Sequence, residues 1–87
     1  MSTTKTTILA VDDEPAIHRF LSPFLEGEGY AVIEAAAGRE ALALASSHDP
    51  DVILLDLGLP DMDGVQVLES LPPWSRALVI VLSARGG

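Results

Sequence analysis

The chain alternates short runs of apolar residues with longer segments in which apolar residues recur every three or four positions. Short apolar runs are typical of strands that are buried on both faces of a parallel sheet. Three such runs predict strands at residues 8–11, 52–55 and 78–82. A more amphipathic segment at residues 30–33 predicts a fourth strand, which we expect at an edge of the sheet.

Three segments between these runs carry apolar residues at the spacing of one helix face. Pro15 suits the first position of the first helix, and Gly27 is placed to end it. Pro23 lies inside the same helix, where it removes a hydrogen bond and predicts a kink. The third helix is predicted to open near Gly64 and to stop at Pro72. The apolar positions that mark the three helices are, in chain order, Ile17, Phe20, Leu21, Phe24 and Leu25; Ala41, Leu42, Leu44 and Ala45; and Val65, Leu68 and Leu71.

The resulting order is strand, helix, strand, helix, strand, helix, strand. This alternation predicts an α/β fold, a doubly wound parallel sheet with helices on both faces. A chain of 87 residues has room for one small domain, so we expect residues 1–87 to form a single unit with a flexible segment at residues 1–6. Because the chain stops soon after the last predicted strand, we expect this sheet to be incomplete.

The composition and net charge of the chain exclude several classes of function. The chain is 48% hydrophobic and 21% charged, which is typical of a globular protein, and the absence of cysteine excludes disulfides and cysteine-ligated zinc. A net charge of −8 repels nucleic acid, so we expect no direct binding of DNA or RNA. No apolar run approaches the roughly 20 residues of a membrane span, and the polar start resembles no secretory signal. We therefore expect a cytoplasmic location.

Acidic residues cluster at the predicted strand ends. The first strand is followed by Asp12, Asp13 and Glu14, another by Asp56, and the last by the hydroxyl of Ser83. In doubly wound sheets, ligands bind beyond the carboxyl ends of the strands. Crowded carboxylates repel one another unless a cation compensates, and Mg²⁺ is the natural partner for such oxygen ligands. A carboxylate beside Mg²⁺ can attack phosphorus and form an acyl phosphate, while the metal and the hydroxyl neutralise charge on the phosphoryl group.

A simpler interpretation exists for each aspartate taken singly. An aspartate after a strand usually forms a turn or caps a helix, and Asp13, Asp61 and Asp63 could all serve in that way. Acidic and hydroxyl groups at three strand ends together are harder to explain as turn chemistry. The sequence therefore favours a phosphoryl-transfer site over separate turn residues.

Three segments resemble the signature of response-regulator receiver domains of two-component systems. They are residues 11–14, 54–64 and 79–84, and the likeness runs from about residue 7 to residue 85. Residues 74–85, together with residues 56–61, further resemble regulators of the Kdp potassium-transport operon. The resemblance implies a flavodoxin-like, CheY-like fold with strand order 2-1-3-4-5. It also implies a role in signal transduction and transcription regulation, without enzymatic turnover.

The resemblance also implies roles for individual residues. Asp56 would accept a phosphoryl group from a sensor histidine kinase, and Ser83 would contact that group through its hydroxyl. Asp12, Asp13 and Asp56 would hold Mg²⁺ together with the backbone carbonyl of Gly58.

The chain departs from this family after its fourth strand. Members continue with a helix, a fifth strand that bears a phosphate-contacting lysine, and a closing helix, whereas Lys5 is the only lysine here and precedes the first strand. We therefore expect the strand at residues 78–82 to be an unpaired apolar edge. The helix containing Ile17, Phe20 and Phe24 would be the sole shield of the sheet face beside it. Exposed apolar edges promote association, so the sequence predicts a homo-oligomer.

Other functions fit less well. A haloacid-dehalogenase-type phosphatase needs a second acid two residues after its nucleophile, where this chain has Gly58. A calcium-binding loop centred on Gly64 would place Leu59 at its first ligand position. His18 and His48 belong to no metal-spaced arrangement, so we expect them at the surface or at helix ends. A receiver remnant that binds partners without phosphorylation remains the alternative.

Overall fold

The computed structural model describes residues 5–82, in which four strands and three helices alternate along the chain. The strands are β1 (Thr7–Val11), β2 (Ala31–Ala35), β3 (Val52–Asp56) and β4 (Leu78–Leu82), and the helices are α1 (Pro15–Gly27), α2 (Gly38–His48) and α3 (Gly64–Ser70). All neighbouring strands are parallel, in the order β2-β1-β3-β4. The predicted α/β fold class is thus confirmed. Ser83 and most of the segment expected to be flexible lie outside the described residues.

The predicted edge strand is present but begins later than expected. β2 lies at one edge of the sheet and covers Ala31–Ala35 rather than residues 30–33. Tyr30 instead closes the turn after α1, because its backbone N–H donates to the carbonyl of Leu25 at 3.1 Å. The first ladder bond of β2 is then made by Ala31, whose N–H donates to the carbonyl of Thr6 at 2.9 Å.

The hydrophobic core lies on the sheet face covered by α2 and α3. Its buried members come from the strands and from both helices: Leu9, Val11, Ala35, Ala41, Ala45, Ile53, Leu55 and Val67. In α3 the structure corrects the predicted stripe, because Val67 is buried while Val65 is 55% exposed and Leu68 is 37% exposed. The capping box formed by Asp63 and Gln66 fixes where α3 begins, and Gly64 and Val67 then face the core. Helical spacing alone did not distinguish these two adjacent stripes.

The opposite sheet face is covered by α1, and only part of the predicted apolar stripe of this helix faces the sheet. Phe20 and Phe24, expected to shield the sheet, are 73% and 58% exposed. The residue of α1 that is buried is Ser22, whose hydroxyl donates to Glu34 on β2 at 2.5 Å. Leu21 and Leu25 are half-buried beside it. The helix is therefore rotated so that this side, rather than the aromatic stripe, faces β2.

β4 forms the other edge of the described sheet. It pairs with β3 alone among residues 5–82, and its side chains are exposed as predicted, Leu78 by 62% and Ile80 by 42%. Registered neighbours share a face of a sheet, so Ile80 lies beside Leu54 and Ala10 on the face that α1 covers near β2. The described residues thus leave an open apolar surface, which we call the β4 face, formed by Leu78, Ile80 and Leu82.

Candidate functional site

Three carboxylates converge at the carboxyl ends of the two central strands. Asp56 is the last residue of β3, and Asp12 and Asp13 follow the last residue of β1, which is paired in register with Leu55. One ligand oxygen from each of the three aspartates lies within 4.8 Å of the others. Asp12 and Asp56 are half-buried, and Asp13 is exposed. The parallel register therefore brings together the residues that the sequence placed at one rim.

The backbone around Asp12 is held by a series of hydrogen bonds. Its N–H donates to the carbonyl of Ala35 at 3.0 Å and so continues the pairing of β1 with β2. Its carboxylate accepts from the N–H of Glu14 at 2.9 Å, which turns the chain toward α1. Its carbonyl oxygen lies 2.7 Å from Nε2 of His18 in the first turns of α1. All three polar parts of this residue are therefore tied to different segments.

The histidine contact was missed by sequence reasoning, which placed His18 at the surface or at a helix end. Its ring is partly buried and binds a main-chain carbonyl six residues earlier in the chain. A main-chain partner of this kind leaves no signal in residue type or spacing. His48, by contrast, is exposed at the end of α2, where Nδ1 lies 2.9 Å from the hydroxyl of Ser47.

Asp56 is oriented by the turn that follows it. The N–H of Gly58 donates to Oδ1 of Asp56 in a long hydrogen bond of 3.3 Å. Gly58 is exposed, and its carbonyl as a metal ligand remains a prediction. Ser83, the predicted phosphoryl contact, is outside the described residues.

The two other aspartates of this region cap helices. Asp63 accepts hydrogen bonds from the N–H groups of Val65 at 2.8 Å and Gln66 at 3.1 Å, and so opens α3. Asp61 accepts from Gly38 at 2.7 Å and Arg39 at 3.0 Å, and thus caps α2 rather than its own turn. These bonds, from Arg39 first and Gly38 second, lower the pKa of Asp61 below its ordinary value of 3.8. Asp61 therefore fastens the loop after β3 to α2.

The oxygen cluster suits a small hard cation. Three carboxylates at such separations repel one another, and a cation bound between them would offset this repulsion. Mg²⁺ prefers six oxygen ligands and usually keeps several waters, so protein oxygens on one side of the ion are sufficient. An open cleft of about 260 Å³ reaches the cluster from the β2 side and is lined by Asp12, Asp13, His18, Arg19 and Glu34. Solvent and small solutes therefore have direct access to Asp12 and Asp13.

The chain thus combines a parallel α/β sheet with a strand-end aspartate close to an acidic pair on the adjacent strand, the arrangement that the sequence predicted. The chain belongs to the response regulator receiver domain family, whose sequence profile matches residues 8–87. This result agrees with the resemblance carried by the three sequence segments.

Two transcriptional regulatory proteins are similar to this chain in sequence. The chain is 55% identical over 80 residues to the transcriptional regulatory protein KdpE of Mycobacterium tuberculosis, covering 92% of this chain and 35% of the relative. It is 51% identical over 80 residues to the KDP operon transcriptional regulatory protein KdpE of Escherichia coli K12, covering 92% of this chain and 36% of the relative. The chain thus spans about a third of the length of these relatives.

Solved structures agree on the fold. The chemotaxis response regulator CheY4 of Vibrio cholerae superposes with a TM-score of 0.88 at 34% identity, covering 97% of this chain and 72% of that one. The chain therefore shares the CheY-like fold. In the part of the chain that the structure describes, none of the helices has the length and hydropathy needed to cross a membrane.

Proposed function

We propose that this chain is the phosphoacceptor module of a two-component response regulator and that Asp56 receives the phosphoryl group from a sensor histidine kinase. The observation that carries the proposal is the convergence of Asp56 with Asp12 and Asp13, with ligand oxygens within 4.8 Å of one another. Membership of the receiver family supports the same assignment.

The proposed reaction is a transfer between two covalent phosphoryl adducts. A carboxylate oxygen of Asp56 forms a bond to phosphorus, and the bond between phosphorus and the kinase histidine nitrogen breaks, so that the histidine leaves with the electron pair. Asp12, Asp13 and Asp56 would hold Mg²⁺ with the carbonyl of Gly58. When bound, the metal supplies positive charge that offsets the negative charge of the acids and of the phosphoryl oxygens. The hydroxyl of Ser83 would contact the transferred group.

The product of the proposed transfer is the phosphorylated chain itself. The chain therefore acts as a signalling switch rather than as an enzyme that turns over a substrate. Because the KdpE relatives are transcriptional regulators, we infer that the chain serves a cytoplasmic regulator of transcription. We expect no direct contact between this chain and DNA, because a net charge of −8 repels nucleic acid. Recognition of DNA would then be a property of other parts of such a regulator.

Intact-mass spectrometry after incubation with Mg²⁺ and acetyl phosphate tests the proposal. We expect a single phosphoryl adduct, absent without Mg²⁺ and abolished in Asp56→Asn. The matched control is Asp49→Asn, which changes the same charge at the exposed end of α2 and should leave the adduct intact. An adduct that persists in Asp56→Asn would show that Asp56 is misassigned.

The exposed β4 face favours a second function, assembly with another copy of this chain. Leu78 is 62% exposed, and Ile80, Val81 and Leu82 are each more than 40% exposed along an edge strand. We propose that two β4 edges pair with each other, because each offers to its copy the same apolar surface and a backbone edge that is unpaired among residues 5–82. Two chains of charge −8 repel, so added salt should strengthen the pairing.

Light scattering during size-exclusion chromatography tests this second function. We expect a dimer or larger species that Ile80→Lys converts toward monomer, since a lysine on an edge strand opposes pairing. A folded, monodisperse 9.2 kDa species at micromolar concentration contradicts it.

A further inference from the structure

We propose that His18 is a positioning residue for the acidic site: its imidazole fixes the peptide that carries Asp12 and thereby sets the arrangement of the carboxylates before a cation binds. The proposal rests on the metal-dependent function proposed above. Nε2 of His18 lies 2.7 Å from the carbonyl oxygen of Asp12, and a carbonyl only accepts, so Nε2 must carry the proton and donate.

The contact with His18 holds the backbone carbonyl of Asp12, the third polar group of this residue. The N–H of this residue is bound to Ala35 on β2, and its carboxylate is bound by the N–H of Glu14 in the turn. Without this bond, the carbonyl would be positioned only by its covalent neighbours. Loops at strand ends are mobile unless a rigid element holds them. His18 ties it to α1, which packs on the sheet. The peptide of Asp12 is thus fixed between β2 and α1.

The second ring nitrogen shows that this bond is the polar role of the residue. Nδ1 of His18 is buried and has no hydrogen-bond partner in the part of the chain that the structure describes. With the proton on Nε2, Nδ1 is an acceptor without a donor, and burial of such an atom is unfavourable. An apolar residue would fill the same space without that penalty. The polar atom that offsets it is Nε2, through the carbonyl of Asp12.

This reasoning separates two substitutions at one site. Gln carries an amide donor at a reach similar to that of Nε2, whereas Leu fills comparable space without a donor. We therefore expect His18→Leu to lose the positioning and His18→Gln to restore it. The matched control is His48→Leu, which removes an exposed imidazole from α2, away from the acidic site.

Titration with Mg²⁺ at one fixed pH, followed through the amide signals of Asp13 and Asp56, measures the effect. His18→Leu should raise the Mg²⁺ dissociation constant by about threefold to tenfold, the range for one net hydrogen bond. His18→Gln should return it to within about twofold of the parent chain, and His48→Leu should leave it unchanged. Equal affinity in His18→Leu and the parent chain, or equal loss in His18→Leu and His18→Gln, overturns the proposal.

Hydrogen exchange without metal provides a readout that separates this proposal from the proposed function. The amide of Glu14, which donates to the Asp12 carboxylate, should exchange several-fold faster in His18→Leu and at the parent rate in His18→Gln. Unchanged exchange in His18→Leu overturns the positioning role even where Mg²⁺ binds normally. The exchange rates could follow this pattern while the parent chain binds no Mg²⁺. That result would overturn the proposed metal site and, with it, the role assigned to His18 in positioning metal ligands.

Discussion

Replacing Asp13 by Asn should stabilise the chain without Mg²⁺ and destabilise it relative to the parent chain with Mg²⁺. Asp13 suits this test because it is exposed, whereas Asp12 and Asp56 accept backbone hydrogen bonds that a substitution would disturb. The change removes one negative charge from a cluster whose ligand oxygens lie within 4.8 Å of one another. Both effects follow from that single charge.

The magnitude follows from Coulomb's law. Two unit charges 4.8 Å apart repel by about 0.9 kcal/mol in water, the medium appropriate to an exposed group. Asp13 and its neighbour Asp12 are adjacent in the unfolded chain as well, so folding creates mainly the repulsion between Asp13 and Asp56. We therefore expect Asp13→Asn to raise the free energy of unfolding by about 1 kcal/mol at low salt. For a domain of this size, that is a rise in Tm of about 4–8 °C.

Mg²⁺ should reverse the order of stability. A ligand at a hundred times its dissociation constant stabilises the native state by about 2.7 kcal/mol. If loss of the Asp13 carboxylate weakens Mg²⁺ binding tenfold or more, the variant loses at least about 1.3 kcal/mol of this gain, which exceeds its advantage of about 1 kcal/mol without metal. Thermal unfolding followed by circular dichroism, with and without Mg²⁺, measures both effects. Glu69→Gln, an equal charge change on α3, is the control and should show neither effect. A variant that is less stable than the parent chain without metal, or that gains as much from Mg²⁺, would refute the reasoning.

Three further predictions concern packing and capping. Ile53→Ala should lower the free energy of unfolding by about 2–5 kcal/mol because the side chain is fully buried, whereas Phe20→Ala, at a 73% exposed position, should change it by less than about 0.5 kcal/mol, as urea unfolding will show. Gly38→Ala should destabilise the chain in the same assay, because an added Cβ collides with the Met62 side chain, which must shift. Asp61 has a folded-state pKa below 3.8, so its contribution should be present above that pH and lost as the pH falls through the lower folded value. The stability gap between the parent chain and Asp61→Asn should therefore narrow in acid, and a gap that is constant with pH would contradict the cap.

The sequence predicted the central strands well because β1 is buried on both faces, and β3 is buried on one face and half-buried on the other. Strands in such positions carry nearly uninterrupted apolar runs. The face of each helix that packs inward was harder to predict. Phe20 and Val65 were expected to pack inward, yet the structure turns both toward solvent. A helical repeat identifies a set of stripes, and the choice among them depends on caps and neighbours such as Asp63 and Ser22. These contacts are set by the tertiary structure rather than by local spacing.

The same distinction applies to the site. Strand ends at one rim follow from parallel topology, so the positions of Asp12, Asp13 and Asp56 could be anticipated from the order of the elements. The bonds from Asp61 to α2 and from His18 to a main-chain carbonyl could not, since each joins distant atoms without a characteristic residue pattern. The sequence therefore predicted where the three carboxylates meet, and the structure revealed the hydrogen bonds that hold the surrounding backbone.

Locating the phosphoryl group within the chain tests the central claim most directly. After incubation with acetyl phosphate and Mg²⁺, borohydride reduction converts a phosphorylated aspartate to homoserine, and peptide mass spectrometry identifies its position. The proposed function predicts homoserine at Asp56 and at no other aspartate. Homoserine at Asp12 or Asp13, or a chain saturated with Mg²⁺ that yields none, would contradict it.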